Sequence, residues 1–473
     1  MKAGLAIVAA LASAVSLAAS AVSPKYVFLF IGDGMSVPQR MTAEEFSRKA
    51  GNGPLAMNQM PFQAMTRTCS ANSLVTDSAA AATAIACGSK TRNGSVGVDA
   101  DGNPIESCAE AARAAGRKVG IMTTVTITHA TPAGFYAHRK QRGESYGIAL
   151  DLADSGFDFF AGGGLDYNYA DKKSPDYGRC GNAYEYAESK GYRIVRHRAE
   201  FLALKPSDGK VLTRFTDGAL DNTIDIAKDA DQPTLSEMVS KAVEMLDGPD
   251  GFFIMAEGGR IDWSGHANDA ATNLREVLAL DDAVKVAFAF QERHPDETLV
   301  VVTGDHETGG MSMGFAGTGH SLFIERLASQ TMSVGAFDNA VGRLYGKRTD
   351  VSFDEVKPLI EKAFGFKFGK GAEGDPMALT AAELKDIKAA FDHDAEFHKA
   401  KIEENRAYDG ERRYQLGGAC RIVISHKAGI GWSSGSHTSL PALTTAKGCG
   451  AELFTGFIEN YDISRKIKSF YGK

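Results

Sequence analysis

Tyr26-Val27-Phe28-Leu29-Phe30-Ile31 runs without a charged residue into Gly32-Asp33-Gly34. An apolar run with no alternation reads as a strand covered on both faces, as in a parallel sheet. Three more runs repeat the pattern. Val119–Met122 follows Gly116-Arg117-Lys118, Phe252–Ala256 runs into Glu257-Gly258-Gly259, and Leu299–Val302 runs into Thr303-Gly304-Asp305-His306. Helical stretches lie between the strands. Ser78–Ala86 is rich in alanine, Glu106–Ala115 follows a polar start, and Leu235–Leu246 spaces Met238, Val239, Ala242, Val243 and Leu246 along one face. Leu274–Phe290 is the longest, with Val277, Leu278, Val284 and Phe288 on one side. Strand alternating with helix predicts an α/β fold: an open, doubly wound, mostly parallel sheet with helices on both faces. Two regions break the rhythm. Asp166–Asp231 is rich in Tyr, Asp, Lys and Arg, and Ser329–Tyr414 is charged, with helical pattern over Ala381–Phe391 and again over Ala395–Asn405. Both read as cap- or crown-like insertions on one core, so residues 22–473 are expected to form a single domain with insertions at about 166–231 and 329–414.

Composition narrows the class. Of 473 residues 44% are hydrophobic and 23% charged, which excludes a mainly disordered chain. A net charge of −7 with no basic stripe gives no support to nucleic-acid binding. Lys2, the apolar run Leu5–Leu17 and the small residues Ala19-Ser20-Ala21 read as a signal peptide over residues 1–21. That run falls short of the about 20 residues that span a bilayer. The expected protein is exported, periplasmic or secreted, with no membrane anchor. Six cysteines in an oxidising compartment point to disulfides, with roughly 15 pairings open. The absence of any C-x-x-C pair argues against a zinc site built on sulfur.

The metal-capable residues cluster where such a fold places its ligands. Asp33, Glu257 and the Asp305-His306 pair each follow a strand directly, and Thr131 follows Val119–Met122 after a short loop. In open α/β sheets the ligand crevice lies outside the carboxyl ends of the strands, so residues far apart in sequence converge on one rim. Glu257, Asp262 and His266 share one loop, and His437 sits in Gly435-Ser436-His437-Thr438. Imidazole with carboxylate and no thiolate suits Zn²⁺, and carboxylate with hydroxyl suits Mg²⁺. Asp77-Ser78 opens the alanine-rich helix. Ser78 is either a capping serine or a hydroxyl placed at a phosphate-attracting helix N-terminus.

Together these segments resemble the metal-dependent alkaline phosphatases of the exported, two-zinc, one-magnesium kind. The motifs are Phe30-Ile31-Gly32-Asp33-Gly34-Met35, Val75-Thr76-Asp77-Ser78-Ala79-Ala80-Ala81, His129-Ala130-Thr131-Pro132, Glu257-Gly258-Gly259-Arg260-Ile261-Asp262, Thr303 to Gly310, and Gly435-Ser436-His437-Thr438, in the family's order from about Lys25 onward. The resemblance implies that Ser78 is phosphorylated during the hydrolysis of phosphate monoesters of broad range. It implies that Asp262, His266 and His437 hold one zinc. Asp305, His306, Asp33 and the Ser78 oxygen would hold the second, and Asp33, Thr131 and Glu257 a magnesium. Arg142 matches the arginine that clamps phosphate, and the family implies a homodimer. His129 and Trp263 stand at positions that vary within the family. His129 either ligates a metal or orients a water, the second being favoured because Asp33, Thr131 and Glu257 already fill the magnesium set. Trp263 is either a packing residue or a wall of the substrate pocket, and both are counted with Arg142 as substrate-binding.

Three other readings remain to be separated from this one. A sulfatase needs a Cys/Ser-x-Pro-x-Arg setting that Asp77-Ser78-Ala79-Ala80-Ala81 lacks. A phosphodiesterase would act on a substrate with a second ester substituent, which a two-oxygen Arg142 clamp would disfavour. A non-catalytic metal- or phosphate-binding protein would have no need of a serine among the ligands.

Overall fold

Ten strands pair into one sheet in the computed structural model, which describes residues 23–473 except 168, 170–175, 177, 179, 228–229 and 404–414. The signal-peptide segment 1–21 lies outside the described residues. The strands are β1 (Tyr26–Gly32), β2 (Phe62–Arg67), β3 (Lys118–Thr123), β4 (Phe159–Ala161), β5 (Tyr192–Val195), β6 (Lys210–Thr213), β7 (Phe252–Gly258), β8 (Thr298–Gly304), β9 (Ala442–Gly448) and β10 (Gly456–Glu459). Their order across the sheet is β10-β2-β9-β8-β1-β7-β3-β4-β6-β5. All neighbours are parallel except that β9 runs antiparallel to both β8 and β2. The four strands expected from apolar runs are the four at the centre, β8-β1-β7-β3.

Every residue of β1, β7 and β8 is buried, because helices cover both faces. Alternate residues feed two separate cores. Phe28, Phe30, Phe252 and Ile254 pack with Leu274, Val277 and Val284 of the Ala270–Arg293 helix and with Met238 and Val239 of the Leu235–Leu246 helix. Val27, Leu29, Ile31, Phe253 and Met255 face the other way, against Ile85 of the Ser78–Cys87 helix and Ile463 and Ile467 of the Asn460–Ser469 helix. Full burial of such side chains stabilises the fold by about 2 kcal/mol each. A sheet covered twice has no solvent face, which is why the sequence shows no polar alternation there.

Three expectations change. Residues 392–394 do not divide two helices: one helix spans Ala381–Glu403. The polar trio Asp392-His393-Asp394 looked like a break, yet the Asp394 carboxylate accepts from the backbone N–H of Gln415 and Leu416 and so anchors the next helix. The residues 166–231 region supplies β5 and β6 to the far edge of the sheet, so part of it extends the core. The expected disulfides are not found: among the described residues no disulfide joins any of the cysteines. Cys87 and Cys108 are buried on one face of the sheet and Cys420 on the other, each packed as a small apolar residue. Burial pushes the Cys108 thiol up to about 12. Cys180 is turned toward the Tyr146 hydroxyl (3.3 Å). Among the described residues no helix is long and apolar enough to cross a membrane.

Candidate metal centre at the strand ends

Strand register assembles the site. Gly32 of β1 lies level with Gly258 of β7 and Gly304 of β8. The next residues, Asp33 and Asp305, therefore leave the sheet side by side, and Glu257 stands level with Ile31 and Thr123. Glycine is required at the exits. Gly34 has φ +71°, and a Cβ there would lie 2.7 Å from Thr308 Oγ1; a Cβ on Gly304 would lie 1.9 Å from the Met35 carbonyl. The Gly34 N–H donates to Asp305 Oδ1 (3.0 Å) and fixes that carboxylate. Because β9 runs antiparallel, its start lies at the rim where the other strands end, and His437 just before it reaches the same rim.

Three groups of side chains converge there: Asp262, His306 and His437; Asp33, Asp305 and His306; and Asp33, His129 and Glu257, with the ligand atoms of each group within 4.8 Å of one another. His266 joins the first group, its Nε2 3.4 Å from Asp262 Oδ2 and 3.1 Å from His437 Nε2. Thr131 joins the third, its hydroxyl 3.4 Å from Asp33 Oδ2. Every carboxylate and imidazole expected to bind metal, with Thr131, is thus at the rim.

The imidazoles of the first two groups are oriented alike. His437 Nδ1–H donates to the Thr76 carbonyl (2.9 Å), His266 Nδ1–H to the Gly435 carbonyl (2.8 Å), and His306 Nδ1–H to Thr308 Oγ1 (3.3 Å). The Thr308 hydroxyl spends its own proton on Asp262 Oδ1. All three rings therefore turn an Nε2 lone pair inward. His129 is reversed. Arginine has only donors, so Arg142 Nη2 (3.2 Å) takes the His129 Nε2 lone pair and leaves the proton on Nδ1. That Nδ1 is 3.9 Å from both Asp33 Oδ2 and Glu257 Oε1.

The charges do not balance within the protein. Burial and then Asp305, Asp262 and Glu257 push the Asp33 carboxyl well up; burial leads in raising Glu257 to about 8 and Asp305 to about 7. Burial opposes ionisation of Asp262, but His437, His306 and His266 outweigh it and hold that carboxyl low. Burial draws His129 down to about 4, with the Arg142 charge adding to it. Asp33 Oδ1, Glu257 Oε1, Asp305 Oδ2 and His129 Nδ1 are buried with no hydrogen-bond partner. Buried polar atoms without partners are rare, and here they share one space. Inward lone pairs facing buried carboxylates fit cations, with N/O donors on one side and O donors on the other.

Ser78 and Arg142 complete the rim. Asp77, not Ser78, is the helix cap: its Oδ1 accepts from the Ala80 N–H (3.0 Å). Ser78 is therefore the first helical residue, free of capping duty, with its hydroxyl 3.2 Å from His306 Nε2. The other Asp77 oxygen accepts from the Gly94 N–H (3.0 Å) and Arg142 Nη1 (3.1 Å), so one carboxylate sets both the helix start and the guanidinium. Trp263 packs edge-on against His129, ring centroids 6.2 Å apart, and Arg260 lies over its ring at 4.7 Å. Sequence reasoning passed over Thr123, which donates to Glu257, and Thr308. Thr308 lies inside a motif whose loop doubles back, and only the adjoining Gly309-Gly310 hinted at that.

Known proteins resemble this chain over nearly its whole length. The family model described as alkaline phosphatase matches residues 24–472. Alkaline phosphatase 3 of Bacillus subtilis is 33% identical over 459 residues, covering 94% of this chain and 88% of the relative. The cold-active alkaline phosphatase of a psychrophilic Shewanella superposes with a TM-score of 0.78 at 27% identity, covering 95% of this chain and all (100%) of the other. A mutant alkaline phosphatase from the Antarctic bacterium TAB5, described with Mg bound in its M3 site, superposes with a TM-score of 0.63 at 26% identity, covering 95% of this chain and 98% of that one.

Proposed function

We propose a mechanism from one premise: the chain belongs to the alkaline phosphatase family, and its phosphatase activity hydrolyses phosphate monoesters through phosphorylation of Ser78. The observation that carries this reading is the Ser78 hydroxyl. It is buried to 2% exposure at a helix N-terminus, relieved of capping by Asp77, and aimed at the inward face of His306.

The residues divide into roles. Asp262, His266 and His437 suit one zinc; Asp33, Asp305, His306 and the Ser78 oxygen suit a second; Asp33, Thr131 and Glu257 suit a magnesium. When bound, such ions supply positive charge to the transferring phosphoryl group and its two in-line oxygens and favour ionisation of a nearby hydroxyl. Asp33 lies in two of the three groups and so ties them together. Arg142 presents two donors in a plane, and Asp77 steadies it from behind, so it clamps two non-bridging phosphate oxygens. The N–H groups opening the Ser78–Cys87 helix face the same anion. Attack by Ser78 Oγ on phosphorus expels the alcohol, and water attacking the phosphoserine releases inorganic phosphate and restores the hydroxyl.

His129 meets the magnesium side with a proton on Nδ1, because Arg142 occupies its Nε2. It therefore donates to a water or phosphate oxygen and does not ligate. Trp263, which walls His129, sets the apolar side of the substrate entrance.

The chain acts after export, as a homodimer, with residues 1–21 removed as a signal peptide and residues 22–473 forming one domain. Broad substrate range follows from a clamp that grips only the phosphoryl group. The test is acid quenching during turnover of a nitrophenyl monoester, followed by peptide mapping. Phosphate is expected on Ser78 alone, and its absence there defeats the mechanism. Turnover of the monoester above the diester and the sulfate separates the reading from its relatives.

A further inference from the structure

Glu307 stands between the metal-facing His306 and the loop that follows, and no role in the reaction has been given to it. It is fully buried, and among the described residues no Lys, Arg or His pairs with it. Four donors from three segments of the chain converge on its two oxygens. Oε1 accepts from Gln39 Nε2 (2.7 Å) and the Met311 N–H (3.0 Å). Oε2 accepts from the Gly310 N–H (3.0 Å) and the Thr438 hydroxyl.

The donors are as informative as the acceptor. Gln39 belongs to the Val37–Lys49 helix, and its own carbonyl is taken by the Ser36 N–H (3.0 Å), so its amide cannot turn around. The same amide also donates to the Thr308 carbonyl (3.1 Å). Thr438 follows His437, and the two residues pair antiparallel with Thr308 and Glu307. Glu307 thereby joins the segment carrying His306 to the segment carrying His437, whose rings stack with centroids 3.7 Å apart.

We infer that the Glu307 carboxylate is a positioning residue that sets His306 and His437 against each other and so governs how firmly the zinc pair is held. This rests on the two-zinc reading above. Two acceptor oxygens are essential for a geometric reason. Each oxygen faces one backbone N–H, and a backbone donor cannot reverse. An amide in either orientation would put its NH₂ against Gly310 N–H or Met311 N–H and leave a buried donor pair opposed. Glutamine, the usual isostere, is therefore a poor substitute here.

The experiment compares zinc release from full-length wild type, Glu307→Gln and Thr438→Val into a chromogenic chelator, alongside kcat, KM and thermal stability. Groups that support ligands from behind commonly change metal affinity or activity by about 10 to 100-fold. Glu307→Gln is expected to release zinc about tenfold faster or more, with kcat falling while KM holds. Thr438→Val, which removes a single donor, is expected to fall between it and wild type. A lowered melting temperature with wild-type zinc release and kcat in Glu307→Gln overturns the inference and leaves Glu307 a packing residue. Should Glu307→Gln fail to fold, wild-type zinc release in Thr438→Val overturns it equally. Wild-type protein that turns over monoesters without zinc defeats the two-zinc reading itself and takes this inference with it.

Discussion

Asp33 divides the rim into two flanks that use the same side chain in opposite ways. On one flank His266, His306 and His437 each give the Nδ1 proton to a carbonyl or hydroxyl and turn a lone pair inward. On the other, Arg142 captures the Nε2 lone pair of His129, and the ring turns a proton inward. Residue type is therefore a poor guide to ligation. The partner behind each ring decides whether it binds a cation or donates to an oxygen. The flanks also differ in support. The first is cross-linked by Thr308, Glu307 and Gln39, all buried. The second leans on Thr123 behind Glu257, on Arg142, and on a Trp263 that is 38% exposed.

The strongest break in this comparison is Asp33→Asn, because Asp33 serves both flanks. Activity is expected to fall by about four orders of magnitude, with both kinds of metal lost on elemental analysis. Retention of either metal at the wild-type ratio would show the flanks to be independent. His437→Ala touches the first flank alone. It is expected to cost about a hundredfold or more in kcat and to lower bound zinc while magnesium stays, again read by elemental analysis.

His129→Asp tests the second flank. It replaces an inward proton by a third carboxylate beside Asp33 and Glu257 and frees Arg142 from its histidine partner. Magnesium is expected to bind about tenfold more tightly, measured by activation titration and by calorimetry. Unchanged magnesium affinity would mean that His129 already ligates as an imidazole.

The smallest effect lies off the rim. His138 Nε2 meets Glu110 Oε1 at 3.0 Å, and that hydrogen bond leads in raising the His138 pKa, while burial of Glu110 is outweighed by His138 and Ser107 so that its pKa falls. A raised histidine contributes stability that is complete below its ordinary 6.5 and fades as pH rises through the folded value. A depressed glutamate contributes above its ordinary 4.5 and fades as pH falls through the folded value. The pair is therefore at full strength between them. His138→Gln is expected to cost about 0.5 kcal/mol near pH 6 and almost nothing near pH 9, seen as a melting-temperature gap of about 1 °C that closes with rising pH. A gap that widened toward pH 9 would contradict the assignment.

Much of the architecture was legible because burial on both faces writes itself into sequence as continuous apolar runs. β1, β3, β7 and β8 were readable for that reason. β5, β6 and β10 were not, since strands of four residues with mixed polarity, at or next to the sheet edges, carry little periodicity. The 392–394 break misled because Asp and His weaken a helix locally, and only the Gln415 and Leu416 N–H groups show why Asp394 is there. The cysteines misled because an even count says nothing about which thiols meet.

What the sequence determined alone was the set of chemistry-bearing residues, Asp33, Glu257 and Asp305-His306 at strand ends and Ser78 at a helix start, because local pattern fixes where an element stops. Only the tertiary structure decided which nitrogen each histidine turns inward, that Asp77 relieves Ser78 of capping, and that antiparallel β9 delivers His437 to the rim. Those depend on hydrogen-bond partners that can lie hundreds of residues away, such as the 361 that separate Thr76 from His437, and local periodicity carries no trace of such a partner.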